Sequence, residues 1–413
     1  MPQFTGQLRP NEIFGAIYNM IISQQVHADN IKGTFSSLVD RARVDGSLYG
    51  DTKLYYDTDV LESHAWGADA EAPNLLDIHR PDDPKCQKIV LDVFRQIDLT
   101  VDYYLSKRAW GDEGVFTTFT GVLLAWIRET KRVYDSTLYN TFIGTTVTNK
   151  GKQLQFVDLA GARANASTEK EALQLEGMEV GRFLADLLVD LRDVSRDYND
   201  YGYLRSHDEG EIKFIFNSKK VNKIRYVDLP TIFHKEGIEA KITKEILPAR
   251  YFGTTITSAN LSDYSASTPA AGKPIDSDTG AYTPGANHAN GTIRSNIETK
   301  IKVANAAADP RAKLNKKDNK YYVHLFPGDE LPAGAIIAAS EGDIKPGEIY
   351  IEEDDVVCKV LTDLPAFMSA FEVGTSFFNA KSLTENHYLT WGHNTLEYFL
   401  GKPFITIKEK PAN

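Results

Sequence analysis

Apolar residues fall at three- and four-residue intervals in three stretches of this chain, and each stretch predicts a helix with one buried face. The first follows Pro10-Asn11-Glu12, where Ile13, Phe14, Ile17, Met20 and Ile21 mark a short N-terminal helix. The second runs from Val115 to Gly144 through Phe119, Val122, Leu123, Trp126, Ile127, Val133, Tyr134, Leu138 and Phe142, and its terminal glycine suits a helix stop. The third opens at Thr168 with Glu171 three residues on, a capping-box signature. It continues through Leu173, Phe183, Leu184, Leu187, Leu188, Leu191 and Val194 and stops near Asp197. Ser218 to Val227 reads as a short connecting helix before Leu229-Pro230.

Elsewhere the pattern is that of strands. Lys88 to Leu99 is rich in β-branched residues with partial alternation, which predicts a long half-exposed strand, and Gly111 to Gly114 breaks the regularity after it. Glu211 to Phe216 alternates; Tyr321 to Leu325, Ile336-Ile337, Glu348 to Ile351 and Val356 to Leu361 are short strands between Pro-Gly and Asp-Glu turns. Ser369 to Trp391 and Tyr398 to Ile407 are aromatic-rich and strand-prone, and should return to the core sheet. Gly33 to Asp51 is polar with scattered glycine, and Asp51 to Pro84 follows neither period, so this region reads as an extended arm and loop. A segment of that length has to pack on something, and the natural candidate is another chain. From Thr254 to Asn296 small polar residues replace large apolar ones, which reads as loop inside an insertion. The rhythm is α+β.

Composition narrows the class. At 413 residues with 42% apolar residues the chain can bury a sizeable core, and ~150 residues per domain gives two or three substructures. The 46 Lys+Arg against 57 Asp+Glu leave a net charge of −11, which argues against a general nucleic-acid binder, since phosphate needs a basic face. No apolar run approaches the ~18 to 20 residues of a membrane span. Met1 to Pro10 has no basic and apolar regions of a secretory signal, so folding in a cytosol is expected. Cys86 and Cys358 lie far apart and give neither a disulfide framework nor a CxxC pair.

The search for chemistry returns little. The Gly-Lys pairs run into Gln153, Pro274 and Pro403, so there is no phosphate-binding loop, and no Gly-x-Ser-x-Gly elbow occurs. Asp276-Ser277-Asp278-Thr279-Gly280 resembles a calcium loop only until Asn287, which stands where the bidentate glutamate belongs; a plain turn is the better reading. His387 and His393 bracket Trp391 and read as packed or interface histidines rather than zinc ligands, and Glu352 to Asp355 reads as a solvated turn. Asp57 and Asp59, and His27 with Asp29, lack an apolar pocket to split their pKa values. No catalytic, cofactor or metal residue is assigned. The aromatic residues point elsewhere: Tyr55, Tyr56 and Trp66, with Leu75 and Leu76, sit on an arm that has no core of its own, and are expected at a subunit interface.

Several strings carry a family likeness: Gly6-Gln7-Leu8-Arg9-Pro10-Asn11-Glu12-Ile13 with Ser23-Gln24-Gln25, Arg196-Asp197-Tyr198-Asn199-Asp200-Tyr201-Gly202, Val227-Asp228-Leu229-Pro230-Thr231-Ile232-Phe233-His234-Lys235-Glu236-Gly237, and Phe371-Glu372-Val373-Gly374-Thr375-Ser376-Phe377-Phe378-Asn379. Together the chain resembles the major capsid proteins of tailed double-stranded DNA bacteriophages, whose fold encapsulins share. The resemblance implies an N-terminal helix and arm at 1–50 and an extended β-hairpin loop at 51–105. It implies a peripheral domain with a long spine helix at 106–167 and 369–413 and an axial domain with a central sheet at 168–253 and 349–368. The β-rich insertion at 254–348 departs from that minimal fold and is expected on the outer face or the rim of the capsomer centre, where it does not obstruct subunit contacts. The resemblance further implies self-assembly of hexamers and pentamers into an icosahedral shell around packaged DNA, with portal and decoration proteins as partners. The arm comes almost at once, where many members carry a scaffolding segment that a protease removes, so the expectation is either a separate scaffolding protein or an already trimmed sequence, and Met1 favours the first. An encapsulin-like compartment is the alternative, and a soluble enzyme a distant third.

Overall fold

The computed structural model describes residues 37–46, 51–61, 63, 80–102, 113–225, 243–256, 261–269, 273–283, 291–293, 299–303, 311, 316–317, 320–325, 335–336, 349–353 and 355–410. In chain order these contain α1 (Ser37–Ala42), β1 (Arg43–Asp45), β2 (Thr52–Asp57), β3 (Lys85–Asp102), α2 (Glu113–Thr145), β4 (Leu154–Val157), α3 (Leu159–Ala164), α4 (Glu169–Arg192), β5 (Lys213–Asn217) and α5 (Ser218–Arg225). Then follow β6 (Thr243–Leu247), β7 (Gly253–Ile256), β8 (Ser265–Ala266), β9 (Ile275–Asp276), β10 (Gly291–Ile293), β11 (Thr299–Val303), β12 (Lys316–Lys317) and β13 (Lys320–Leu325). The last are β14 (Ala335–Ile336), β15 (Ile349–Glu352), β16 (Val356–Leu361), β17 (Phe367–Asn379), β18 (Thr384–Asn394) and β19 (Phe404–Glu409). The chain divides into two compact units, 1–56 with 86–140 and 364–398, and 57–85 with 141–363 and 399–413.

The first unit is a five-stranded sheet in the order β1-β17-β18-β3-β2. β3 and β18 pair antiparallel from Asp102↔Thr384 to Leu91↔Asn394, and β17 turns back on β18 as a hairpin. Asn394 secures the base of that hairpin: its side-chain oxygen accepts from Met368 N at 2.7 Å, and its amide donates to Ala366 O at 3.0 Å. From α2, Ile127 packs with Leu389 and Trp391. Tyr139, fully buried, donates its hydroxyl to Pro365 O at 2.8 Å. On α2, Ile127, Lys131, Asp135, Tyr139 and Ile143 form one row at intervals of four, and all five are buried.

The second unit is built on a sheet in the order β4-β19-β16-β5-β6. Every residue of the central strand β16 is buried and all but Lys359 are apolar, so the strand does not alternate between a buried and an exposed face. α4 covers the sheet with Val180, Leu184, Leu187, Leu188 and Leu191, which share one core with Phe214, Phe216, Val357, Val360, Ile405 and Ile407. The helix starts where its capping signature places it: Thr168 Oγ1 accepts from Glu171 N at 3.2 Å, and the Glu171 carboxylate reaches back to Ser167 N at 2.9 Å. Beyond β7 lie smaller sheets, β10-β15-β7, β12-β13-β11-β14 and β8-β9. The strands on either side of this stretch, β7 and β15, pair antiparallel from Gly253↔Glu352 to Ile256↔Ile349.

Five expectations need correction. Thr52–Asp57, read as irregular arm, is a strand, because β3 supplies the ladder that a six-residue period could not announce. Ser37–Ala42 and Arg43–Asp45 are regular within the supposed polar arm, with Leu38, Val39 and Ala42 buried. The helix from Thr168 ends at Arg192 rather than near Asp197, because Ser195 leaves it to bridge Arg205. Phe404–Glu409, grouped with the peripheral strands, lies between β4 and β16 in the second unit. Thr254 to Asn296, read as loop, contains short strands and the buried Ile275 and Tyr282. The N-terminal helix lies outside the described residues.

Candidate assembly surface

Of the five residues expected at an interface, Tyr55 and Tyr56 are described and Trp66, Leu75 and Leu76 are not. β2 is an edge strand of its sheet, and successive side chains leave it on opposite faces. Tyr55 is half-buried, and that burial pushes its phenol pKa up. Tyr56 is 64% exposed, with Leu54 exposed on the same face of the strand. Val60 and Leu61 follow, also exposed. A row of apolar side chains in solvent along one stretch is an ordinary mark of a surface that is covered in an assembly.

The β17–β18 hairpin carries a second such surface, which the sequence did not announce. β1 pairs with β17 only from Phe367 to Ser369, and from Glu372 to Phe378 every side chain is exposed on both faces. Val373, Phe377 and Phe378 lie there, and Leu383, at φ 53°, is exposed in the turn. The Phe377-Phe378 dipeptide was the available signal: neighbours on a strand point to opposite faces, so one ring of the two cannot join a one-sided core.

Between α2 and this hairpin lies a groove of about 530 Å³ lined by Ile127, Arg128, Glu372, Thr375, His387 and Leu389. His387 Nε2 is buried without a hydrogen-bond partner, 4.0 Å from Glu385 Oε2. His393 is packed: it stacks on Phe367 and lies 3.1 Å from the Tyr134 hydroxyl and 2.8 Å from its neighbour's carbonyl oxygen, Asn394 O. Burial lowers its pKa. Beside it, Asp135 is buried 3.5 Å from Lys131 and 3.7 Å from Arg43, and Lys131 also meets Glu372 at 3.2 Å. Burial raises the Asp135 pKa against both cations. This charge cluster ties α2 to β1 and β17.

The remaining candidate groups are structural. Asp276 Oδ1 accepts from the amides of Asp278 and Thr279 at 2.9 and 2.7 Å, and Gly280 follows at φ +68°, which makes a turn. Glu353, read as part of a solvated run, is instead buried and bonded to Lys408 at 2.6 Å, with Asp355 at 3.3 Å from the same ammonium. The apolar strands on either side bury the carboxylate, and the lysine stabilises it there. Asp57 and Asp59 pair with Arg205 and Arg196. Among the described residues no three metal-ligating side chains converge, and no helix is long and apolar enough to cross a membrane.

No family model matches the chain and no curated protein matches it. Solved structures do. A chain in the capsid structure of Staphylococcus phage Andhra is similar over 100% of this chain and 95% of that one, with a TM-score of 0.51 and 11% identity. A chain in the structure of the head fiber and inner core protein gp22 of native bacteriophage P68 is similar over 94% of this chain and 87% of that one, with a TM-score of 0.54 and 9% identity. At such identities the likeness speaks for backbone architecture alone, and it does so from end to end. The chain has the tailed-phage major capsid fold that its sequence resembles.

Proposed function

We propose that the chain is a major capsid protein, a structural rather than catalytic subunit that assembles as hexamers and pentamers into an icosahedral shell around double-stranded DNA. The observation that carries this reading is the whole-length likeness to a chain of a phage capsid structure. The exposed apolar rows at Leu54 and Tyr56 and at Val373, Phe377 and Phe378 support it, since such surfaces are covered when copies meet. Shell contacts are individually modest and are summed by symmetry. Tyr55, Tyr56, Trp66, Leu75 and Leu76 belong to the loop that clasps a neighbour, and the stretch 254–348 faces outward. Partners are further copies, with a scaffolding protein, a portal and decoration proteins.

Purified chain, alone and co-expressed with a scaffolding protein from a related phage, should give closed shells, capsomers or sheets in negative-stain microscopy. Monomers under every salt and scaffold condition would overturn the reading. Uniform small shells that hold protein cargo and lack a portal vertex would replace it with an encapsulin-like compartment. Replacing residues 62–80 by a short Gly-Ser linker should leave a folded monomer that no longer closes shells; normal shells from that variant would remove the clasp role.

A further inference from the structure

The string Arg196 to Gly202 carries part of the family likeness, and in the second unit it forms a closed platform. Ser195 and Arg205 exchange both backbone bonds, at 2.9 and 3.0 Å, and shut the neck of the loop. Inside it Asn199 donates to Tyr203 O at 2.7 Å and accepts from Tyr203 N at 2.9 Å, while Gly202 takes the left-handed conformation at φ +68°. Asp200 fixes the platform from behind, its amide on Leu400 O at 2.8 Å and its carboxylate on Gln153. Asp197 pairs with Lys152 at 2.7 Å.

Both ends of the chain segment 57–85 land on this platform. At the outgoing end Asp57 Oδ1 lies 3.3 Å from Arg205 Nη2, Asp59 pairs with Arg196, and Asp59 Oδ1 accepts from Leu204 N at 2.9 Å. Arg196 Nη1 also donates to Gly202 O at 2.9 Å, so its guanidinium is aimed by the platform before it meets Asp59. Gly401 leaves the space for Asp57: a Cβ there would stand 2.3 Å from the Asp57 carboxylate. At the returning end the Lys85 ammonium lies over the rings of Tyr201 and Tyr203, 5.0 and 4.9 Å from their centroids. The Asp59 carboxyl is held down to about 2, first by the Arg196 bond and next by the Leu204 amide, so the outgoing contact stays charged throughout the neutral range.

We infer that Arg196, Arg205 and the Tyr201–Tyr203 ring pair are positioning residues: they clamp two roots, residues 57–61 and Lys85, on one rigid loop and so set where the exposed Val60 and Leu61 are presented to a neighbouring copy. Roots held on one loop fix each other's place more closely than strand pairing alone. Each guanidinium makes one contact to its carboxylate and also donates to a backbone carbonyl of the loop, Gly202 O for Arg196 and Leu204 O for Arg205, so the loop holds the cation in place. The inference rests on the shell reading for its purpose and on intrachain contacts for its geometry.

The test separates the two. Hydrogen exchange of the unassembled full chain is measured for the parent, for R196A/R205A, for K85A, and for the charge-swapped pair D59R/R196D, and each is then assayed for particle yield. The double variant should raise exchange across 57–61 at least tenfold and K85A across 80–85, with the core amides of β16 unchanged and particle yield reduced several-fold; the swapped pair, which keeps the ion pair but loses the bonds to Leu204 N and Gly202 O, should loosen 57–61 less than the double variant does. Unchanged exchange at the roots would overturn the clamp. Loosened roots with full particle yield would overturn the positioning role while leaving the shell reading intact. Failure of the parent itself to assemble would count against the shell reading, and the exchange arm would still decide the clamp. Intact protection of β16 in the variants guards against mistaking unfolding for loosening.

Discussion

The Lys359 ammonium lies inside the central sheet 2.7 Å from Thr146 O, the first residue past the end of α2. Thr406 Oγ1 accepts from the same nitrogen at 2.9 Å, and the side chain is fully buried. A lysine whose charge is removed from water becomes easier to deprotonate, and burial, with the nearby Lys408 cation next, lowers its pKa to about 7. The two acceptors match the two N–H bonds of a neutral amine.

The sign of the pH dependence follows. An unfolded lysine keeps its proton up to its ordinary value, whereas the folded one releases it near 7, so the unfolded state binds more protons between these limits. The contribution of Lys359 to stability therefore improves as pH rises from about 7 toward the ordinary lysine range. Lys359→Met keeps the packed stem and removes the titration. At pH 6 the variant should melt above the parent; at pH 9.5 the order should reverse, because the parent then has an uncharged, hydrogen-bonded amine. Parallel pH–melting curves would show that Lys359 does not titrate between these limits.

Gly144 illustrates a case where local propensity gives the wrong sign. Alanine is better than glycine inside a helix by about 1 kcal/mol. At Gly144, in the last turn of α2, an added Cβ would stand 1.9 Å from Tyr251 O, a backbone atom that cannot rotate away. Gly144→Ala should therefore destabilise by about 3 kcal/mol, the upper range for overpacking, in urea unfolding. A neutral or stabilising result would mean that the Ala249–Tyr251 turn shifts freely.

The row on α2 predicts a non-additive pair. Asp135→Leu leaves Lys131 buried with only Glu372 beside it, a loss of about 3 kcal/mol. Lys131→Met together with Asp135→Leu replaces the ion pair by apolar volume and should recover most of that loss. Additive losses in a double-mutant cycle would show that the two residues act independently.

How far the fold was legible depended on whether a segment's partner lay in its own pattern. α2 and α4 could be read because their apolar faces repeat over many turns, and the Thr168 cap and the β16 run, apolar but for Lys359, are local signals. β2 could not: its six residues alternate too briefly, and its ladder comes from β3. Lys131 and Asp135 sit at core spacing, yet charge at those positions reads as a solvated face until Arg43 and Glu372 arrive from distant strands. Of the exposed apolar surface, Tyr55 and Tyr56 were visible as aromatics without a core, while the hairpin surface was marked only by the adjacent rings of Phe377 and Phe378, because composition alone does not separate an exposed aromatic strand from a buried one.

Tyr56 and Phe377 are 64% and 63% exposed, so neither contributes much to the fold of a single copy. Tyr56→Ser and Phe377→Ser should leave thermal unfolding of the unassembled chain unchanged within about 0.5 kcal/mol, as for surface positions in general. Where a neighbouring copy covers the ring, its removal at a loss of about 1.4 kcal/mol per contact should raise the critical assembly concentration tenfold. A variant that melts early would show instead that the ring packs against its own chain. A variant with normal melting and normal assembly would remove that ring from the contact surface.

The net charge of −11 gives the last prediction its direction. Copies of one sign repel when brought together, and that repulsion has to be offset by apolar contact such as the rows at Leu54–Tyr56 and Val373–Phe378. Salt leaves the apolar term nearly untouched, but it screens charges separated by more than ~10 Å at 0.1 M. Raising ionic strength from 20 to 200 mM should therefore lower the critical assembly concentration, measured by light scattering at fixed pH. The opposite trend is the signature of close ion pairs between copies, whose attraction is what salt weakens, and a steady rise in critical concentration with salt would place such pairs rather than apolar burial at the centre of assembly.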